Sequence, residues 1–207
     1  MKPKLTLLLY INIVFLFPTV YSQDTIQKTV LSLVQYYDKA ISDDGEVSKQ
    51  LFFDVFPDNF QIFNSIYGWN DQTNRPQYLY DSAYNHIIFF CKLSNNIPTE
   101  LYYKKMINIC LNAHWEADAI NYFQNCMQTQ FLTNTEPFLS VLGLYDDTSI
   151  KKFWHFFFDT PYFDHPFQLA LYDKVHTTIE QNDRIFLLMQ EQYSYDKNMY
   201  LIHKKEK

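Results

Sequence analysis

Apolar side chains recur at three- and four-residue steps along nearly the whole chain, and that period decides the fold class. Ile26, Val30, Leu33, Val34, Tyr37 and Ile41 follow it, with Lys28, Gln35, Asp38 and Lys39 between them. Such spacing puts one apolar stripe on an α-helix. Asp43-Asp44-Gly45 closes this first segment. The pattern resumes over Gln50–Phe56 and, past Pro57, over Asp58–Tyr67, where Gly68 is a stop signal. Gly68 to Gln77, with Asn70, Asp71, Asn74, Arg75 and Pro76, is the longest loop.

Further helical segments run from Leu79 to Leu93 and, after Ser94 to Pro98, from Glu100 to Asn112 with Thr99 as cap. Another runs from His114 or Trp115 to about Leu132, and one starts near Thr135 with Pro137 in its first turn. Thr148 opens a helix through Phe158, Asp159 to Pro166 is a short loop, and Phe167 to Met189 is helical with a candidate break at Asn182-Asp183. The Tyr- and Lys-rich tail has no clear period. Phe156-Phe157-Phe158 and Ile87 to Cys91 are apolar enough for strands, but each lies inside a longer helical pattern. Only 3 glycines occur in 207 residues, too few for a turn-dense β-sandwich or a phosphate-cradling loop. The expectation is therefore all-α: one domain over residues 23–207, made of short antiparallel helical hairpins. A solenoid-like stack is the alternative, although no fixed-period repeat is visible.

Met1–Ser22 reads as a secretory signal peptide. Lys2 and Lys4 precede an apolar stretch from Leu5 to Phe17, Pro18 ends it, and Val20-Tyr21-Ser22 fits a cleavage site before Gln23. The stretch is shorter than the roughly 20 residues that span a bilayer, so cleavage is favoured over an uncleaved anchor and stable membrane insertion is not expected. The expected address is periplasmic or secreted. Cleavage removes two lysines and no acids, leaving 15 basic against 23 acidic side chains. An acidic chain lacks the field that draws proteins to nucleic acid.

Cys91, Cys110 and Cys126 each sit among apolar residues. Three buried thiols are expected in preference to a pair with one left over. Cys110 and His114 lie four apart, with His86 and Cys91 one helix earlier. They are the first place to look for zinc, but no Cys-x-x-Cys occurs, and ordinary structural roles are the favoured reading; no metal or other cofactor is assigned. Glu116 and Asp118 are two apart, about 200° around a helix, so favourable charges at a helix start explain them better than an acid–base pair. Asp159, Asp164 and His165 share a loop with Tyr162 and Phe163, without a recognisable nucleophile. No catalytic residue is assigned.

The aromatic content exceeds background: Phe 19, Tyr 17, Trp 3. Residues such as Phe89, Phe123 and Phe153 fit a core. Many tyrosines instead flank polar residues, among them Tyr67, Tyr78, Tyr80, Tyr102, Tyr145, Tyr162, Tyr193 and Tyr195. Tyr and Trp anchor protein interfaces, and an acidic surface carrying them suits a basic protein partner.

Four stretches carry a resemblance: Phe53-Asp54-Val55-Phe56-Pro57-Asp58-Asn59-Phe60, Ile66-Tyr67-Gly68-Trp69-Asn70-Asp71, Trp115-Glu116-Ala117-Asp118-Ala119-Ile120 and Phe153-Trp154-His155-Phe156-Phe157-Phe158-Asp159. Over roughly residues 50–165 the chain resembles small exported helical proteins of Bacteroidetes that are similar to toxin-neutralising immunity proteins, some linked to type VI secretion. The resemblance implies a cognate toxin as partner, neutralised by occlusion of its active site. Loops Gly68–Gln77 and Asp159–Pro166 are the interface candidates, with Tyr67, Trp69, Asp71, Tyr78, Tyr162 and Asp164 as expected contact residues. A periplasmic hydrolase or metal-dependent enzyme, and an envelope scaffold or adaptor, are the alternatives.

Overall fold

Helix α1 (Gln23–Asp43) turns into α2 (Glu46–Val55) through Asp44, whose φ of 48° is the left-handed state that commonly ends a helix. The Asp43 side chain fixes the corner by accepting the Gly45 N–H at 2.8 Å and the Ser48 hydroxyl at 2.8 Å. The computed structural model describes residues 23–179 and 183–205. The expected signal peptide and Asn182 lie outside them. The elements that follow are α3 (Phe60–Tyr67), α4 (Ala83–Lys92), α5 (Thr99–Cys110), α6 (Ala119–Thr133), α7 (Thr135–Leu142), α8 (Asp147–Phe158), α9 (Pro166–Thr178) and α10 (Arg184–Lys205). The fold is all-α among the described residues, apart from a small ribbon of β1 (Trp69–Asn70) and β2 (Arg75–Pro76) inside the expected long loop.

Packing mostly skips one helix. α1 packs on α3, α3 on α5 and α5 on α7; α4 packs on α6, α6 on α8 and α8 on α10. The contacts α5–α8 and α6–α7 tie the two rows together, and α2 packs on α1. No described helix is long and apolar enough to cross a membrane.

The two rows enclose one continuous aromatic core. Phe90 stacks on Phe56 at 4.2 Å and on Tyr102 at 5.2 Å. Tyr102 meets Tyr103, which meets Phe138 at 4.8 Å, and Phe138 reaches Phe153 at 5.5 Å. Phe131, Trp154 and Phe157 close the far end with edge-on contacts near 5.3 Å, a geometry that aromatic pairs favour. Most of the aromatic excess is therefore interior.

A glycine-poor chain must end its helices by other means, because glycine is the usual left-handed cap and none of the three adopts positive φ. Long side chains from neighbouring helices supply the partners instead. The Lys105 ammonium donates to the carbonyls of Phe53 (2.7 Å), Asp54 (3.2 Å) and Phe56 (2.7 Å) at the end of α2. At the end of α8, Gln124 donates to Phe156 O (2.6 Å) and Asp159 O (2.9 Å). Gln128 donates to Phe157 O (2.7 Å), and Gln168 to Phe158 O (2.8 Å). Carbonyls left over at a helix terminus are thus satisfied inside the protein.

Two expected boundaries shift. Helix α6 begins at Ala119 rather than at His114 or Trp115, because the Trp115 N–H is committed to Asp159 and the Asp118 carboxylate to Tyr80. The tail without a clear period continues α10 to Lys205, and the first half of that helix is held by buried Phe186, Met189 and Tyr193.

Candidate protein-binding surface

The ribbon is set by Gly68. Its φ of −82° suits any residue, but a Cβ there would fall 1.6 Å from Asn64 Oδ1 and 2.7 Å from the Asn64 carbonyl oxygen. Only glycine lets the chain pass α3 this closely. Asn74, with φ 51°, makes the turn, and the Asn70 side chain accepts the Thr73 N–H at 3.0 Å. Trp69 pairs with Pro76 and Asn70 with Arg75, so Trp69 and Arg75 project from opposite faces of the ribbon. The Trp69 ring meets Tyr80 edge-on at 5.7 Å.

The hydroxyl of Tyr80 donates to Asp118 Oδ2, which pushes the phenol up to about 12 and keeps it a donor. Asp118 precedes α6 but does not cap it; its φ of 60° and ψ of −117° turn the carboxylate towards Tyr80 instead. Three residues earlier, the Trp115 N–H donates to Asp159 Oδ2 at 2.6 Å. Three residues span at most about 11 Å. Tyr80, three residues past the first candidate loop, and Asp159, the start of the second, therefore converge on one short segment, 115–118.

The expected contact residues divide accordingly. Trp69 is 38% exposed, Tyr78 46% and Tyr162 67%, and Asp71 is exposed. Asp164 is exposed but engaged: it accepts the Tyr200 hydroxyl at 2.8 Å and the Lys204 ammonium at 2.5 Å, and these hold its carboxyl below the usual carboxylate range. Tyr67 is a correction, because it is fully buried and lies 3.0 Å from His86 Nδ1 through its hydroxyl. Tyr102 and Tyr193 are likewise core residues. Tyr84, 55% exposed and edge-on to Tyr122 at 5.3 Å, belongs to the surface but was not among the expected residues. Its place on a helix with an otherwise apolar pattern concealed it.

The cysteines also correct the sequence reading. Cys91 and Cys126 form a disulfide joining α4 to α6, while Cys110 stays a buried thiol 3.2 Å from the Met106 carbonyl. Tyr102 and Gln130 donate to the Cys91 carbonyl at 3.2 and 2.9 Å, holding the α4 end in place. The four residues considered for zinc have separate partners. His86 is packed between Tyr37 and Tyr67, and burial holds its imidazole down to about 4. His114 lies 2.7 Å from Glu116. Among the described residues no group of three or more His, Cys, Asp or Glu is placed to hold a metal.

Asp159, Asp164 and His165 do not converge either. Asp159 accepts from Trp115, Asp164 binds the C-terminal helix, and His165 Nδ1 accepts the Phe167 N–H at 3.2 Å as the cap of α9. The histidine–carboxylate pair that does form there is His155 on α8 with Asp196 on α10, 3.0 Å apart. It was hidden in the sequence by a separation of 41 residues. Asp196 pulls the His155 imidazole above its ordinary value, and no hydroxyl or thiol bonds the ring among the described residues. No protein-family model, curated protein or solved structure matches the chain.

Proposed function

We propose that this chain is an exported binding protein that neutralises a toxin by covering its active site. One observation carries the reading: Tyr80, just after the first aromatic, acid-bearing loop, bonds Asp118, and Asp159, at the start of the second, bonds Trp115, so both attach to the one segment 115–118. Exposed Trp and Tyr supply contact area at small entropic cost, and a net charge of −6 favours a basic partner. Rigid anchoring of both loops reduces the ordering cost of binding. The Cys91–Cys126 disulfide supports an oxidising compartment such as the periplasm or the exterior.

Capture from a periplasmic extract with the oxidised full-length chain, followed by mass spectrometry, tests this. A single basic, toxin-like protein whose activity is blocked on binding is the expected outcome. Recovery of no partner across salt and pH conditions would sink the proposal.

A general-base hydrolase is the second reading, favoured only by His155–Asp196. The pair borders two open pockets of about 390 and 280 Å³. Turnover of ester or amide substrates that disappears in His155→Gln would support it over binding.

A further inference from the structure

Beside the ribbon, two contacts between chain segments follow one another where α4 and α6 begin. Tyr80 binds Asp118, and four residues further along each segment Tyr84 meets Tyr122. Trp69 meets Tyr80, Tyr80 binds Asp118, the Tyr122 N–H donates to the Asp118 carbonyl at 2.9 Å and Tyr122 meets Tyr84, so the five residues form one connected strip. Trp69, Tyr84 and Asp118 are exposed and Tyr80 and Tyr122 half-buried. Packing accounts for the core aromatics but not for rings left this open to water.

Acidic residues flank the strip in the chain. Asp81 is exposed beside Tyr80, and Asp118 uses only one carboxylate oxygen, its other making no hydrogen bond or ion pair among the described residues. Glu116 faces His114. Arg75, the nearest cation on the ribbon, projects from the face opposite Trp69. Ring faces attract cations through their quadrupole, and a flanking carboxylate adds to the attraction.

We propose that the strip Trp69–Tyr80–Asp118–Tyr122–Tyr84 seats an arginine or lysine side chain of the protein partner. The cation lies against the Trp69 and Tyr84 rings and is countered by the open oxygen of Asp118. The Tyr80 hydroxyl, kept protonated, holds the carboxylate in place without neutralising it. This names the partner's anchoring chemistry and rests on the binding role argued above.

A hexa-arginine peptide titrated into the isotopically labelled full-length chain tests the seat without a toxin. The Trp69 indole N–H resonance should shift. Asp118→Asn and Tyr84→Leu should each weaken the peptide at least fivefold, whereas Asp24→Asn, an equal charge change on α1, should alter it less than twofold. Asn tolerates positive φ, so Asp118→Asn preserves the turn, and Tyr84→Leu leaves the backbone untouched. Equal weakening by Asp24→Asn and Asp118→Asn, or a stationary Trp69 resonance, would overturn the seat. Failure here together with successful capture of a partner removes the seat and leaves the binding role standing. A working seat with no captured partner does the reverse.

Discussion

The carboxylate of Asp159 accepts the backbone N–H of Trp115 at 2.6 Å, across 44 residues of chain. This bond fixes where α8 hands over to the loop that follows it. In Asp159→Ala the amide loses its acceptor, a loss of about 1–3 kcal/mol. Urea unfolding should move to a lower midpoint, and amide exchange at Trp115 should accelerate. Unchanged exchange there would show that the bond does not anchor the loop.

Gly68 holds the ribbon against α3 because no Cβ fits beside Asn64. Gly68→Ala should cost about 1–3 kcal/mol through overpacking and displace Trp69 from Tyr80. Gly143→Ala is the control, since its Cβ would come no nearer than 3.3 Å to its neighbours. Trp69 fluorescence and thermal unfolding report both effects; equal behaviour of the two variants would contradict the account.

The disulfide spans 35 residues, so the chain-entropy treatment assigns it roughly 3–4 kcal/mol. The Cys91→Ser/Cys126→Ser double variant should unfold at a correspondingly lower urea concentration. Oxidised native protein should resist thiol alkylation until it unfolds, because Cys110 is buried. A double variant as stable as the parent would refute the structural weight given to the bridge.

Two histidines give stability opposite pH signs. The folded value of His86, about 4, lies below its ordinary 6.5, so the unfolded state binds the proton more readily. Its contribution is complete above about pH 6.5 and is lost as pH falls through 4, a change of about 3 kcal/mol. The loss of stability between pH 7 and 4 should be smaller by about that amount in His86→Gln, whereas equal losses would place the imidazole in water. His155, raised by Asp196, contributes below its unfolded value, and that contribution is lost as pH rises through its folded one.

Local periodicity made most helices legible: Asp43-Asp44-Gly45 does end α1, and α5 and α8 each open one residue before the expected start, with Pro98 rather than Thr99 at the cap of α5 and Asp146 at that of α8. What escaped depends on contacts between distant residues. The four residues before Ala119 favour a helix start locally, but Asp159 and Tyr80 hold them out of one. Tyr67 lies beside polar Asn64 and Ser65 and reads as exposed until His86, 19 residues away, is brought to its hydroxyl. Neither the Cys91–Cys126 pairing nor the glutamines capping α8 has a local signature, since each joins separate helices. Of the candidate site, Trp69, Asp71, Tyr78 and Tyr162 were readable as surface residues because they lie on loops rich in polar and turn-forming side chains.

Hydrogen–deuterium exchange on the complex with the captured partner tests the central claim most directly. Slowed exchange over residues 68–84, 115–118 and 159–166, with α1 and α10 unchanged, is the predicted result. Protection confined to α1 or α10, or absent from all three segments, would contradict it.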